Sequence, residues 1–360
     1  MGTRTPTRFL RLAGLLFLEL VLLGMAGWGS LALFYFDHAS SALRTALAAA
    51  FAMISMLALA GVAVKRWRWR VVTAYLALFA VLLWCWGAIE PSNDRDWQLE
   101  TARLPYATIA GDQVTLHNIR NFDYRTENDF TPAYYDKTFD LRQLDSVDLI
   151  ASYWMGPAIA HVFLSFGFGA NDHVAISIEA RKERSEGYSS VEGFFRQYEL
   201  YYVVADERDV IRLRTNYRRD PPEQVYLYRL HGAPGSGRRV FLDYLREINR
   251  LKERAEFYNT LTSNCTGNIW LHSRVNPGHV PYSWKILVSG YLPEFLYEQG
   301  RLDTRLPFAE LQRRSLINAA AQAADHAPDF SRRIRAALPR DPALSLRGGD
   351  TRSDSEYDAR

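Results

Sequence analysis

Three long apolar runs fill most of the first ninety residues and constrain everything that follows them. They cover about Leu12 to Phe36, Ala42 to Val64 and Val71 to Ile89. Each is about twenty residues, the length a helix needs to cross ~30 Å of hydrocarbon. A secretory signal would show one shorter apolar stretch and then a cleavage site. The pattern predicts a three-helix, multi-pass membrane anchor over 1–90. The mean hydropathy of the whole chain, −0.20, averages over this asymmetry and hides it.

Positive charge sets the orientation. Arg4, Arg8 and Arg11 precede the first run, and Lys65, Arg66, Arg68 and Arg70 lie between the second and third. The first connection, DHASS, carries no basic residue. The N-terminus and the second connection are therefore expected on the cytoplasmic side. Everything past residue 90 then lies in the periplasm or its equivalent. Trp67, Trp69, Trp84 and Trp86 fall near the run ends, where interfacial aromatics belong.

Past residue 90 the chain reads as ordinary globular sequence. A linker is expected over 91–114, the main domain over 115–300, a helical extension over 301–338 and a solvated, disordered tail over 339–360. Alternating apolar and polar residues predict strands at 117–125, 161–168, 173–181, 197–205, 210–215 and 225–230. Gly169 to Asp172 is a turn that makes a hairpin of two of them. Phe241, Leu245, Ile248 and Leu251 recur at helical spacing and predict a helix over about 238–254. A second helix should start at Asn264, capped by Ser263 or Asn264. Two short helices are expected within 307–338. Antiparallel strands with segregated helices make this an α+β domain.

The formal charge is +3, from 43 basic and 40 acidic residues. That is too small to suggest a nucleic-acid partner. No Cys/His spacing suggests a metal and no glycine-rich loop suggests a nucleotide, so no cofactor is expected. Of the two cysteines, Cys85 lies in the third apolar run and Cys265 at the start of the helix beginning near Asn264. Unpaired N–H groups and the helix dipole there favour a thiolate. A nucleophilic cysteine also needs a base. Without one, Cys265 is only a small buried residue.

All but one of the eight histidines lie beyond the apolar runs. His161 begins a strand on which Val162, Leu164, Phe166 and Phe168 face one way. His161, Phe163 and Ser165 face the other. On the next strand, Ser177 and Glu179 share the face opposite Val174, Ile176 and Ile178. The hairpin therefore gathers His161, Ser165, Ser177 and Glu179 on one side. His161 is the expected base for Cys265, with Glu179 as its orienting group. His173 is a rival base, but it adjoins the turn. Glu179 has a plainer alternative, an ion pair with Arg181 or Arg214. His272 lies seven residues past Cys265, about 10 Å along the same helix, too far for proton transfer. Substrate and oxyanion contacts are expected from Asn264, Ser165, Ser177 and the N–H of Cys265. Phe194, Phe195, Tyr201 and Tyr202 either line a substrate groove or pack the core.

The blocks HNIRNFDYR, HVFLSFGFGANDHVAISIEARKE, GFFRQYELYYVVADERDVIRLRT, VYLYRL, FLDYL and FYNTLTSNCTGNIWLH occur in that order over about 115–275. Together they resemble the Lnb N-terminal periplasmic domain family, with a weaker continuation in WKILVSGYLPEFLYEQGRLD. The resemblance implies a lipoprotein N-acyltransferase-like activity in which a Cys and a His carry an acyl group. Those two fall on Cys265 and His161. It also implies a permuted, NlpC-like branch of the papain superfamily. The namesake has a longer membrane-bearing C-terminal part, whereas here the apolar runs precede the domain. The thiol chemistry is therefore implied more directly than the substrate.

The expected function is a membrane-anchored periplasmic acyltransferase or thiol hydrolase acting on membrane lipid or lipoprotein esters. Two other readings are a cysteine peptidase or amidase acting on peptide or peptidoglycan, and a non-enzymatic tethered binding module of the envelope.

Overall fold

The computed structural model describes residues 5–36, 40–169 and 172–338, with side chains from Phe9 onward. The tail at 339–360, residues 170–171 of the hairpin turn, 37–39 of the first connection, and Arg4 and the side chain of Arg8 lie outside the described residues.

The chain divides into two compact units. The first holds helices α1 (Thr5–Phe34), α2 (Ser41–Ala63) and α3 (Arg68–Gly87), each long and apolar enough to cross a membrane. Their outward surfaces are exposed Leu, Phe, Met and Trp, as a lipid-facing surface requires. Inside, the hydroxyls of Ser55 and Tyr75 meet at 2.9 Å and join α2 to α3. Residues 189–197 belong to this unit. Phe195 stacks on Tyr35, with ring centroids 5.3 Å apart, and packs near Trp28 and Trp86.

The second unit is built on one large sheet. Its strands are β1 (Tyr106–Ala110), β2 (Gln113–Arg120), β5 (Tyr134–Asp140), β6 (Leu144–Tyr153), β7 (Ala160–Phe168), β8 (His173–Arg181), β9 (Glu199–Ala205) and β10 (Gln224–Arg229). A small separate hairpin pairs β3 (Asp123–Tyr124) with β4 (Phe130–Thr131). The order across the large sheet is β1-β2-β9-β8-β7-β6-β10, with β5 paired to β2. Pairing is antiparallel except for one parallel contact between β2 and β9.

Helices cover both faces of this sheet. On one, α5 (Ser236–Glu253), α6 (Cys265–Ser273), α7 (Trp284–Leu287) and α8 (Leu292–Glu298) close a core with Leu149, Leu164, Phe166, Ile176 and Tyr202. On the other, α4 (Glu207–Arg212), α10 (Asn318–Ala323) and α11 (Phe330–Arg333) pack on Ile150, Phe163, Ala175 and Val203. Helix α9 (Phe308–Ser315) contributes Leu311 to the first core. The protein is α+β, with three apolar helices ahead of a sheet domain.

The face of β7 and β8 bearing His161, Ser165 and Ser177 is buried under a second helical layer. Several expectations are corrected. The expected strand over 210–215 is helical: α4, capped by Asp206, runs into a π-helical turn at Leu213–Tyr217. Six residues are too few for periodicity to separate strand from helix. The expected linker over 91–114 is built into the domain. Arg181 donates to Thr101 O at 2.9 Å, its guanidinium lies 4.0 Å from the Trp97 ring centroid, and β1 pairs with β2. The extension at 301–338 contains three short helices instead of two, and α7 and α8 precede it.

Candidate functional site

Strands β7 and β8 pair only near their turn, from Leu164↔Ile176 to Gly167↔His173. Beyond that point β7 stays with β6 as far as Tyr153↔Ala160, and β8 stays with β9 as far as Arg181↔Glu199. The sheet forks. The first turn of α6 meets the open end of the fork, and Cys265 is its first residue. The thiol hydrogen-bonds with His161 and takes backbone N–H groups from Val162 and Thr266. At Val162 the thiol stands where a continuous sheet would supply a β8 carbonyl.

Local structure holds both sides. Asn264 caps α6: its Oδ1 accepts the Gly267 N–H at 2.7 Å and its Nδ2 donates to Thr260 O at 2.8 Å. The start of β7 is pinned by Ala160 N–H to Ser289 Oγ at 3.0 Å, and by Gly290 N–H to Ala158 O at 3.0 Å. Position 290 must be glycine, because a Cβ there would lie 2.1 Å from Pro157 O.

The hydrogen-bond polarity around His161 follows from which groups can donate. Ser177 Oγ lies 2.8 Å from Glu179 Oε1 and 2.7 Å from His161 Nε2. An ionised carboxylate only accepts, so the serine proton goes to Glu179. The serine oxygen must then accept from Nε2–H. Glu179 Oε1 also lies 3.5 Å from His161 Nε2 and accepts from Arg214 Nη2 at 3.1 Å. Of the two arginines weighed as partners, Arg214 holds Glu179, while Arg181 turns to Thr101 and Ala102. Arg214 lies over the Phe163 ring and within 3.9 Å of Glu223, which also binds Arg218 and the Ser152 hydroxyl.

The ionisable groups shift in one consistent sense. Burial works against a thiolate at Cys265, but the His161 hydrogen bond and charge and the two N–H donors outweigh it, and the thiol pKa is lowered. Burial likewise disfavours an imidazolium at His161, and its bonds to Cys265 and Glu179 overcome this and raise its pKa. Glu179 is buried enough to resist ionisation, yet its bond to His161 and the Arg214 charge hold it well below the usual carboxylate range. Proton transfer from thiol to imidazole is thus favoured at both ends.

The other sequence-derived residues fall elsewhere or are committed. Ser165 lies four residues along β7 from His161, roughly 13 Å away at strand rise. It donates to Glu207 at 2.5 Å, and Glu207 is gripped by Arg335. The Asn264 side chain is consumed by capping. His173 stands opposite Gly167 at the paired end of the hairpin, away from the fork, and burial lowers its pKa. His272 is locked between Tyr202 OH at 2.7 Å and Asp243 Oδ2 at 2.8 Å. Tyr201 and Tyr202 lie in opposite cores, so they line no common groove, and Phe194 and Phe195 belong to the helical unit.

Sequence reasoning missed two donors. The Val162 N–H leaves no trace in residue identity. Tyr244 on α5 has a buried hydroxyl with no hydrogen-bond partner among the described residues, and it couples electrostatically to Cys265. Its apolar spacing with Phe241, Leu245 and Ile248 marks it only as core. No group of three His, Cys, Asp or Glu able to hold a metal occurs among the described residues.

These features define a membrane-anchored protein whose sheet domain carries a hydrogen-bonded cysteine–histidine pair. Residues 130–290, which include every member of that cluster, match the Lnb N-terminal periplasmic domain, and this part of the chain belongs to that family. The protein is thus a membrane protein with a periplasmic domain. No curated protein and no solved structure matches it.

Proposed function

We propose that this protein is an acyltransferase or thiol hydrolase of the inner membrane, acting on lipid or lipoprotein esters through a thioester on Cys265. One observation carries this reading: the continuous hydrogen-bonded chain from Cys265 through His161 and Ser177 to Glu179. With Nε2–H donated to Ser177, Nδ1 is the basic nitrogen and takes the Cys265 proton. The thiolate attacks the ester carbonyl. The C–O bond breaks, and His161 returns the proton to the departing alkoxide. An amine or water then attacks the thioester, with His161 again taking a proton, and Cys265 is regenerated. The N–H of Cys265 and the hydroxyl of Tyr244 are the assigned donors to the oxyanion. The basic residues before α1 and between α2 and α3 put the N-terminus in the cytoplasm and the sheet domain in the periplasm. A permuted papain-like ancestry is consistent with a cysteine at a helix start beside a histidine on a strand.

The test is intact-mass measurement on the full chain in nanodiscs, offered a diacylglyceryl lipopeptide, a phospholipid or a muropeptide. The expected result is one acyl mass added to Cys265 with an ester substrate and absent in Cys265→Ala. Cleavage of the muropeptide alone would make the protein an amidase. No adduct and no turnover with any of the three would leave a tethered binding module.

A further inference from the structure

Helix α6 has a second working face. Cys265 lies toward the fork and His272 toward the Tyr202–Asp243 pair. Thr266, Ile269, Trp270 and Ser273, at i, i+3, i+4 and i+7, line a cavity of about 160 Å³. Its floor is Leu149 and Leu164 of the sheet, and Val240 and Leu296 add walls. An apolar cavity of ~150 Å³ holds a six-carbon ring in place of water. Along α6 the slot runs from Thr266 to Ser273, seven residues or about 10 Å.

The two ends of the slot differ. At the α6 N-terminal end, Thr266 Oγ1 donates to Ile286 O at 2.6 Å, which seals it with paired groups. At the other end stand His231, His279 and Arg301. Backbone contacts tie these three together: His231 N–H donates to Arg301 O at 2.8 Å, and Arg301 Nη2 donates to Gly278 O, beside His279. Asn276 bonds Arg239 and Ser236 O, and Ser273 bonds Trp270 O. Among the described residues Arg301 spends one side-chain donor, on Gly278 O, and the rest of its planar fork has the geometry that matches a carboxylate.

We propose that this slot is a binding site for a single-chain carboxylate amphiphile, with the head on Arg301 and the alkyl tail lying along α6 toward Thr266. The site is separate from the Cys265 fork and does not depend on the reaction assigned there. It does touch it: the N–H of Thr266 is one of the two backbone donors on the Cys265 sulfur. A tail seated against Thr266 braces the turn that holds the thiol.

Photo-crosslinking tests this on the full chain in phospholipid nanodiscs, using a diazirine-bearing octanoate and peptide mapping by mass spectrometry. The label should fall on α6 near Ile269 and on the segment 280–296. Arg301→Gln should lower labelling about tenfold, the loss of one charge-assisted bond. Val240→Trp, checked for folding by its thermal melt, should remove the label. The matching diazirine alcohol, which lacks the carboxylate, should label weakly. Labelling confined to α1–α3, equal labelling by acid and alcohol, or labelling unchanged in both variants would overturn the proposal.

Discussion

His161 Nε2 sits 2.7 Å from the hydroxyl of Ser177, although the strands that carry them pair at one end and part before reaching these residues. Had β7 and β8 stayed paired, the Val162 N–H would be spent on the sheet. Because they diverge, it bonds the thiol, and a side-chain bridge replaces the missing ladder.

Replacing Cys265 by Ala should abolish acyl transfer and alkylation by iodoacetamide. The residue is half-buried and small, so Tm should move by only ~2–4 °C. Intact mass and a thermal melt separate the two effects. Undiminished turnover in the variant would remove the thiol from the chemistry.

Alkylation of Cys265 should persist at pH values below those at which an ordinary thiol, with a pKa of about 8.5, becomes unreactive. In His161→Gln the onset should move up, and the rate at pH 7 should drop about tenfold or more. The linked stability has opposite signs at the two groups. The lowered Cys265 pKa contributes stability that is present above the unfolded thiol pKa and lost as pH falls through the folded value. The raised His161 pKa contributes stability present below about pH 6.5 and lost as pH rises through its folded value. A pH series of alkylation rates and melts reads both.

Ser177→Ala leaves the Nε2–H of His161 without its serine acceptor and should slow turnover by roughly ten- to hundredfold. Glu179→Gln should lower the pH at which His161 loses its proton, because a carboxylate that favours the imidazolium is gone. The depressed Glu179 pKa also contributes stability above about pH 4.3 that is lost as pH falls through the folded value. The pH–rate profile and acid denaturation of the two variants check this. An unshifted profile in Glu179→Gln would reduce that residue to a plain partner of Arg214.

Tyr244→Phe separates catalysis from stability. Removing a buried hydroxyl that has no partner should leave Tm unchanged or slightly raised. If the hydroxyl serves the oxyanion, kcat should fall by ~10²–10³. A variant with wild-type kcat would return Tyr244 to the core.

Arg335, just past α11, reaches Asp148 at 2.8 Å and also grips Glu207, and both acids are fully buried. Arg335→Met leaves the buried Glu207 without its arginine and Asp148 with Arg229 alone, and should cost about 3–5 kcal/mol. Urea unfolding measures it. The acyl chemistry should follow only the loss of folded protein.

The anchor, β7, β8, β9, β10, α5 and the start of α6 were legible because each is a local pattern of period 2 or 3.6. β6 was not. Both of its faces are buried, so it lacks the alternation of a half-exposed strand, and its buried Asp148 and Ser152 are held by Arg229, Arg335 and Glu223, distant in sequence. The second layer of helices over the polar face of β7 and β8 likewise comes from distant sequence and leaves no local signal. Ser165 and Ser177 share that face, yet only Ser177 reaches the fork.

The amino-acid order alone determined that the chain enters a membrane, that a sheet domain follows, and that a lone outer cysteine begins a helix. Those properties depend on residues within a few turns or strand steps of one another. Which histidine meets that cysteine was decided by tertiary structure, because a sheet must split between β7 and β8 before α6 can approach. Strand divergence depends on pairing partners far apart along the chain, and no local period encodes it.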